Sequence, residues 1–152
     1  MARIPVARQI VAAVLLRALC VAPLAAAAVI PVSDVAGLQA AIGAANPGDE
    51  IVLAAGTYQV GFNLTITRPG SQAAPIRLRA ASPQAALIRF NTVEGFRVAA
   101  PDWRFEDLAI EGACALDNDC EHAFHILANG DRTVLRNNHV RDFNAHVKGN
   151  GE

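Results

Sequence analysis

Two segments in the second half of the chain repeat one pattern at an offset of 30 residues, residues 103–111 (WRFEDLAIE) and residues 133–141 (TVLRNNHVR). Apolar residues coincide at two aligned positions and opposite charges at two more: Phe105 with Leu135, Ile110 with Val140, Glu106 with Arg136, and Glu111 with Arg141. A period of this length is typical of chains that stack their coils. If the two segments stack as parallel strands about 4.8 Å apart, the charged positions form two exposed ion pairs. Each pair would contribute under about 1 kcal/mol to stability.

One short helix is predicted before a long series of short strands. Apolar residues at helical spacing predict a helix over residues 34–45, with Ser33 as its N-cap. Nothing after residues 46–49 (NPGD) has a helical pattern, and Gly, Pro, Asn and Asp separate short apolar runs. The predicted strands are residues 51–53, 64–66, 76–78, 87–90, 96–98, 103–105, 108–110, 124–126, 134–135, 139–140 and 146–147.

The repeat and the strand pattern together predict an all-β fold, a parallel β-helix with three short strands per coil. Outward charges and inward aliphatic residues alternate along its strands, and the helix serves as an N-terminal cap over the first coil. A β-sandwich is the alternative, because strand spacing alone does not distinguish the two folds.

Residues 1–28 have the pattern of a secretory signal peptide. Arg3 and Arg8 precede an apolar stretch over residues 10–21, and small residues end the segment at Ala28. A transmembrane anchor is the alternative, but Arg17 leaves the apolar run too short to span about 30 Å of hydrocarbon. The predicted mature chain is therefore residues 29–152, periplasmic or secreted, with no membrane partner after signal removal.

Charge and cysteine content limit the partners of the mature chain. Three of the 13 basic residues lie in residues 1–28, which leaves 10 against 14 acidic residues, a net charge of −4. A chain without a basic excess is not expected to bind nucleic acid. Two of the three cysteines remain, Cys114 and Cys120, and an even number in an exported protein predicts a disulfide.

Six segments carry a resemblance to a known family: residues 38–42 (LQAAI), 46–49 (NPGD), 51–53 (IVL), 55–58 (AGTY), 74–80 (APIRLRA) and 105–112 (FEDLAIEG). Together they resemble the beginning of the pectate-lyase-like β-helix superfamily, and within it the polysaccharide lyase family that includes alginate lyases and chondroitinase B. The resemblance implies a right-handed β-helix, an acidic polysaccharide as partner, and cleavage by β-elimination. It also places the catalytic Lys and Arg and the calcium ligands on later coils, so no catalytic residue is assigned and no cofactor is expected in this chain.

A second alignment gives the candidate binding residues. Residues 96–98 (FRV), 124–126 (FHI) and 145–147 (AHV) align, which predicts an outward column of Arg97, His125 and His146. Asn144 and Lys148 lie two residues to either side of His146 and are expected on the same face. These five residues suit the carboxylates of a uronate chain. Either histidine could act as the base of an elimination and either cation could stabilise the enolate; the alternative is a solvated face that binds nothing.

Other polar residues have structural or metal-binding alternatives. His122 and His125 with Glu121, or His125 with His146, could bind a transition metal, and residues 117–121 (DNDCE) could bind calcium. No metal site is predicted, because His122 and His125 should face opposite sides of a strand and the acidic loop lacks a recognisable order of ligands. Asn137 and Asn138 are interpreted as an asparagine ladder, and Trp103 as a packing residue rather than a sugar platform.

The sequence therefore predicts an exported β-helix that binds an acidic polysaccharide and, in a longer form, cleaves it. A non-catalytic module for adhesion or surface attachment is the alternative. Residues 149–152 (GNGE) supply no cap for the last coil. We therefore expect a truncated domain that is inactive alone and that self-associates through this coil or remains partly unfolded there.

Overall fold

The computed structural model describes residues 26–150, so the predicted signal peptide lies almost wholly outside the described residues. One helix and thirteen strands follow in chain order. They are β1 (Val29–Val32), α1 (Val35–Ala44), β2 (Glu50–Leu53), β3 (Gly56–Val60), β4 (Leu64–Ile66), β5 (Ile76–Ala80), β6 (Ala86–Phe90), β7 (Glu94–Val98), β8 (Trp103–Glu106), β9 (Ala109–Gly112), β10 (His122–Ile126), β11 (Val134–Arg136), β12 (His139–Arg141) and β13 (Ala145–Gly149).

The strands form three sheets in which every pairing is parallel. The first sheet has the order β1–β2–β5–β8–β11, the second β3–β6–β9–β12, and the third β4–β7–β10–β13. Successive strands of the chain belong to different sheets, so the backbone winds through about four turns. This architecture is a parallel β-helix, as predicted, and its parallel pairing excludes an antiparallel sandwich.

The strand register confirms the 30-residue repeat. Phe105 is level with Leu135 and Ile110 with Val140, and both predicted ion pairs form, Arg136 with Glu106 and Arg141 with Glu111. The prediction that these pairs are fully exposed is wrong. Glu106 is only 2% exposed and Glu111 only 8%. Each carboxylate lies between two guanidinium groups, because Arg77 and Arg89 of the preceding coils contact them as well.

The helix caps the first coil, but it begins differently from the prediction. Asp34, not Ser33, is the N-cap: its backbone is extended and its Oδ1 accepts a hydrogen bond of 2.7 Å from the N–H of Gly37. Leu38, Ala41 and Ile42 are buried against β1 to β4. The N-cap is the residue whose side-chain oxygen accepts a hydrogen bond from the backbone N–H three positions later, and Asp34 makes that bond.

Three short elements were not predicted. β1 pairs only with β2. Its sequence contains Pro31 and does not alternate between apolar and polar residues, so no strand was predicted there. β3 begins at Gly56, and its Tyr58 hydroxyl donates towards the carbonyls of Val32 and Ala54 at 3.0 Å each. A single turn of 3₁₀-helix, Asp117–Asp119, lies in the acidic loop, contrary to the prediction of no later helical segment.

An aromatic stack fills the middle of the core. Phe96 packs face to face on Phe124 with ring centroids 5.1 Å apart, and Phe105 contacts both at 5.1 and 5.2 Å. Trp103 is fully buried 5.9 Å from Phe105, and its indole N–H donates to the carbonyl oxygen of Arg68 at 2.6 Å. Trp103 is therefore a packing residue, as predicted.

The corner between the first and second sheets turns within a few residues. Gln84, Asp107 and Asn137 occupy this corner in successive coils, all with positive φ (56°, 60° and 53°). Asn138 then bonds the neighbouring coil, since its Oδ1 accepts from the N–H of Leu108 at 3.0 Å and its Nδ2 donates to the carbonyl of Phe105 at 2.9 Å. The predicted bonding to neighbouring backbone is confirmed for Asn138, whereas Asn137 donates to the side chain of Asp107.

The corner between the second and third sheets differs in length among coils. Residues 61–63, 91–93 and 142–144 connect the sheets in three coils, while residues 113–121 do so in the remaining coil, between β9 and β10. The longer connection contains the Cys114–Cys120 disulfide, with Cα atoms 5.7 Å apart. The predicted disulfide is therefore present, and it closes a short loop.

We expect Asn138→Ala to destabilise the fold by about 1–3 kcal/mol, because it leaves the N–H of Leu108 and the carbonyl of Phe105 without their bonds. Urea unfolding measures the loss. Asn129→Ala, at an exposed loop position, is the matched control and should unfold like the wild type. Equal stability of the two variants would contradict the role of Asn138.

A second prediction concerns acid stability. Two hydrogen bonds of 2.7 Å from Arg132 hold the pKa of the Asp102 carboxyl below its usual value. Because the folded pKa is the lower one, this stabilisation is complete above about pH 4 and is lost as the pH falls through the folded pKa. Asp102→Asn tolerates the positive φ of 62° and should reduce the acid dependence of urea unfolding.

Asp119→Asn, at an exposed loop position, serves as the control for this measurement. It should retain the wild-type loss of stability below about pH 4. An Asp102→Asn variant with an unchanged acid dependence would show that the pair does not contribute to stability.

Candidate functional site

The outer face of the third sheet carries a column of polar residues, one from each coil. Thr65 of β4 is level with Arg97 of β7, Arg97 with His125 of β10, and His125 with Lys148 of β13. We call these four residues the outer column. It crosses four strands spaced about 4.8 Å apart, so it could contact several units of an extended ligand.

The predicted place of His146 in this column is wrong. β13 begins with Ala145 level with His122, so Val147 is level with Phe124 and Lys148 with His125. The sequence alignment had set Ala145 against Phe124, two residues away from the observed register. A match of three residues does not fix the register, because the connection before β13 has three residues and the connection before β10 has nine.

Glu94 joins the two central members of the column. Its Oε1 lies 2.6 Å from His125 Nδ1, and its Oε2 lies 2.9 Å from Arg97 Nε. His125 is 6% exposed, contrary to the prediction that it is a surface residue. The carboxylate therefore neutralises much of the positive charge expected here, and His125 is unsuited to a direct contact with a polymer.

The exposed candidates lie at the β13 end of the face. His146 and Lys148 alternate along β13 and are both exposed, so they share a side of the strand. No carboxylate lies within 4.0 Å of Lys148 in the part of the chain that the structure describes. Asn144 is also exposed, and its amide donates to Glu121 Oε1 at 3.2 Å.

His122 and His125 come closer together than the sequence predicted. Residues three apart on a regular strand face opposite sides, but His122 is the first residue of β10 and its ring centroid lies 6.0 Å from that of His125. Between residues 26 and 150, no group of three or more His, Cys, Asp or Glu side chains is arranged to hold a metal ion.

Sequence reasoning did not identify Glu94 as a residue of the site. The predicted strand began at residue 96, which placed Glu94 in a turn, whereas β7 begins at Glu94 itself. The one available signal was its position three residues before Arg97, a spacing that brings side chains together on a helix but not on a regular strand.

No helix of the described residues is both long and apolar enough to span a membrane.

No protein-family model and no curated protein matches the sequence. Among solved structures, the chain is similar to an alginate lyase from Paenibacillus sp. str. FPU-7, with a TM-score of 0.51 and 23% identity over 73% of this chain and 44% of that one. A PL6 family alginate lyase, AlyGC, gives a TM-score of 0.48 and 19% identity over 66% of this chain and 16% of that one. The chain thus spans less than half the length of either enzyme, and its fold is a parallel β-helix similar to that of the Paenibacillus alginate lyase.

Proposed function

We propose that the chain is part of an exported protein that binds an acidic, uronate-containing polysaccharide on the outer face of β4, β7, β10 and β13. The observation that carries the proposal is the outer column, in which Arg97 and Lys148 lie on the same face two strands apart. Cations about 10 Å apart can contact carboxylates that recur along an extended polymer.

The exposure of each candidate supports a division of roles. Lys148 is exposed and unpaired among the described residues, so it makes the main ionic contact. His146 and the Asn144 amide add hydrogen bonds from the same end of the face. Arg97 contributes less to binding because the carboxylate of Glu94 already neutralises its charge. His125 contacts Glu94 and does not touch the ligand.

Two observations support the substrate class and the location. The similar structure from Paenibacillus is that of an alginate lyase, whose substrate is an acidic polysaccharide. The disulfide between Cys114 and Cys120 is compatible with an oxidising compartment, periplasmic or extracellular.

We extend the proposal to β-elimination only for a longer form of the protein. Of the two bases expected from the sequence, His125 is buried, with Nε2 enclosed. His146 is exposed beside Lys148, but the resemblance places the catalytic Lys and Arg on later coils. The residues described here therefore serve binding in this proposal.

We expect Lys148→Ala to weaken binding to alginate about three- to tenfold at low salt, because one partly exposed ionic contact contributes about 1 kcal/mol. Lys148 is also the only lysine of the chain, so no other ammonium side chain can replace it. Isothermal titration calorimetry at two salt concentrations measures the affinity, which should fall as salt is added.

Arg104→Ala is the matched control. It removes one cation from β8 in the first sheet, where no carboxylate lies within 4.0 Å of Arg104 among the described residues, and it should leave the affinity unchanged. Equal losses in both variants would indicate nonspecific charge attraction. A wild-type chain without affinity for any uronate polymer at low salt would contradict the proposal and favour the adhesion module.

A further inference from the structure

Two ring nitrogens on β10 are buried without a hydrogen-bond partner among the described residues. They are Nδ1 of His122 and Nε2 of His125. Buried polar atoms in native proteins almost always have a partner, so an unpaired buried nitrogen needs a physical explanation. The two rings are neighbours, with centroids 6.0 Å apart, so one ligand between them could contact both nitrogens.

Glu94 determines which ring nitrogen of His125 has a lone pair available to bind a metal ion. Its carboxylate oxygen lies 2.6 Å from Nδ1, so Nδ1–H donates to Glu94 and the lone pair of the neutral ring is on Nε2. Metal-binding histidines usually have this arrangement, in which a carboxylate accepts from one ring nitrogen while the other nitrogen binds the ion. Glu94 also lies at ion-pair distance from Arg97, with Oε2 2.9 Å from Nε but without the geometry of a hydrogen bond.

The ring separation is compatible with one shared ion. An ion bound at about 2.1 Å from an imidazole nitrogen lies about 3 Å from the centre of that ring. Two rings that bind the same ion therefore have centres up to about 6 Å apart. The centroids of His122 and His125 are 6.0 Å apart and the rings are tilted by 36°, so the rings need to approach only slightly.

We propose that His122 Nδ1 and His125 Nε2 bind one divalent transition-metal ion such as Zn²⁺ or Ni²⁺, with Glu94 orienting His125. Imidazole nitrogen suits these ions, whereas calcium takes oxygen ligands, so this site differs from the calcium sites that the resemblance places on later coils. No third His, Cys, Asp or Glu completes a metal-binding group within residues 26–150. With two protein ligands, the remaining coordination positions are filled by water, which reaches these buried nitrogens only when the two rings move apart.

The test is a titration of the full chain, without a polyhistidine tag and without polysaccharide. Zn²⁺ and Ni²⁺ are added separately, and calorimetry records stoichiometry and affinity. The wild type should bind one ion per chain. His122→Gln should weaken binding at least tenfold, and Glu94→Gln about 10- to 100-fold because it leaves both ligand nitrogens but alters the orienting contact.

His139→Gln is the matched control, since His139 is exposed on β12 in the second sheet. It should bind the ion like the wild type. His125 is buried, so His125→Gln is interpreted only if its thermal unfolding without metal matches the wild type; His122, which is less buried, supplies the decisive variant.

A metal-dependent rise in melting temperature, present in the wild type and lost in His122→Gln, gives a second readout because an ion that binds only the folded state stabilises it. The proposal is overturned if the wild type binds neither ion at millimolar concentration. Equal affinity in His122→Gln and the wild type, or an equal loss in His139→Gln, would overturn it as well.

Discussion

The structure depends on parallel coils that stack in register. Each strand inside a sheet is hydrogen-bonded to the strands of the coils before and after it, and inward side chains pack on their counterparts, as Phe96 does on Phe124. A slip of one residue would turn every inward side chain outward. The left-handed corner residues and the side chain of Asn138 oppose such a slip, because they hold the turn between the first and second sheets at the same place in successive coils.

The same stacking governs the charges on the outer faces. A residue that repeats in register faces its counterpart about 4.8 Å away, so like charges would repel along a whole sheet. Acidic residues interrupt the arginines: Glu106 and Glu111 each contact two of them. Glu50 does the same, and its pKa lies below the usual value chiefly because Arg79 donates to it, with Arg77 adding a second bond. Lys148 differs, since no acidic partner lies beside it among the described residues.

The sequence alone predicted the structure correctly where a clear periodic pattern determines the strand register. The 30-residue alignment predicted four cross-strand pairs, two of them ion pairs, because apolar and charged positions alternate clearly there. It failed for β13, since the length of a turn is not visible in a three-residue match. It also failed for His125, whose burial and contact with Glu94 depend on where β7 begins. Long, periodic features were predictable; contacts at strand starts, where side-chain alternation is relaxed, were not.

The unequal connections between the second and third sheets have an evolutionary consequence. Residues 113–121 replace a three-residue turn without disturbing the strands on either side, and a disulfide secures the added length. This corner borders the strands of the outer column, so insertions there can add surface beside the proposed binding face while the coils remain as they are. The length of this connection is thus uncoupled from the register of the stacked strands.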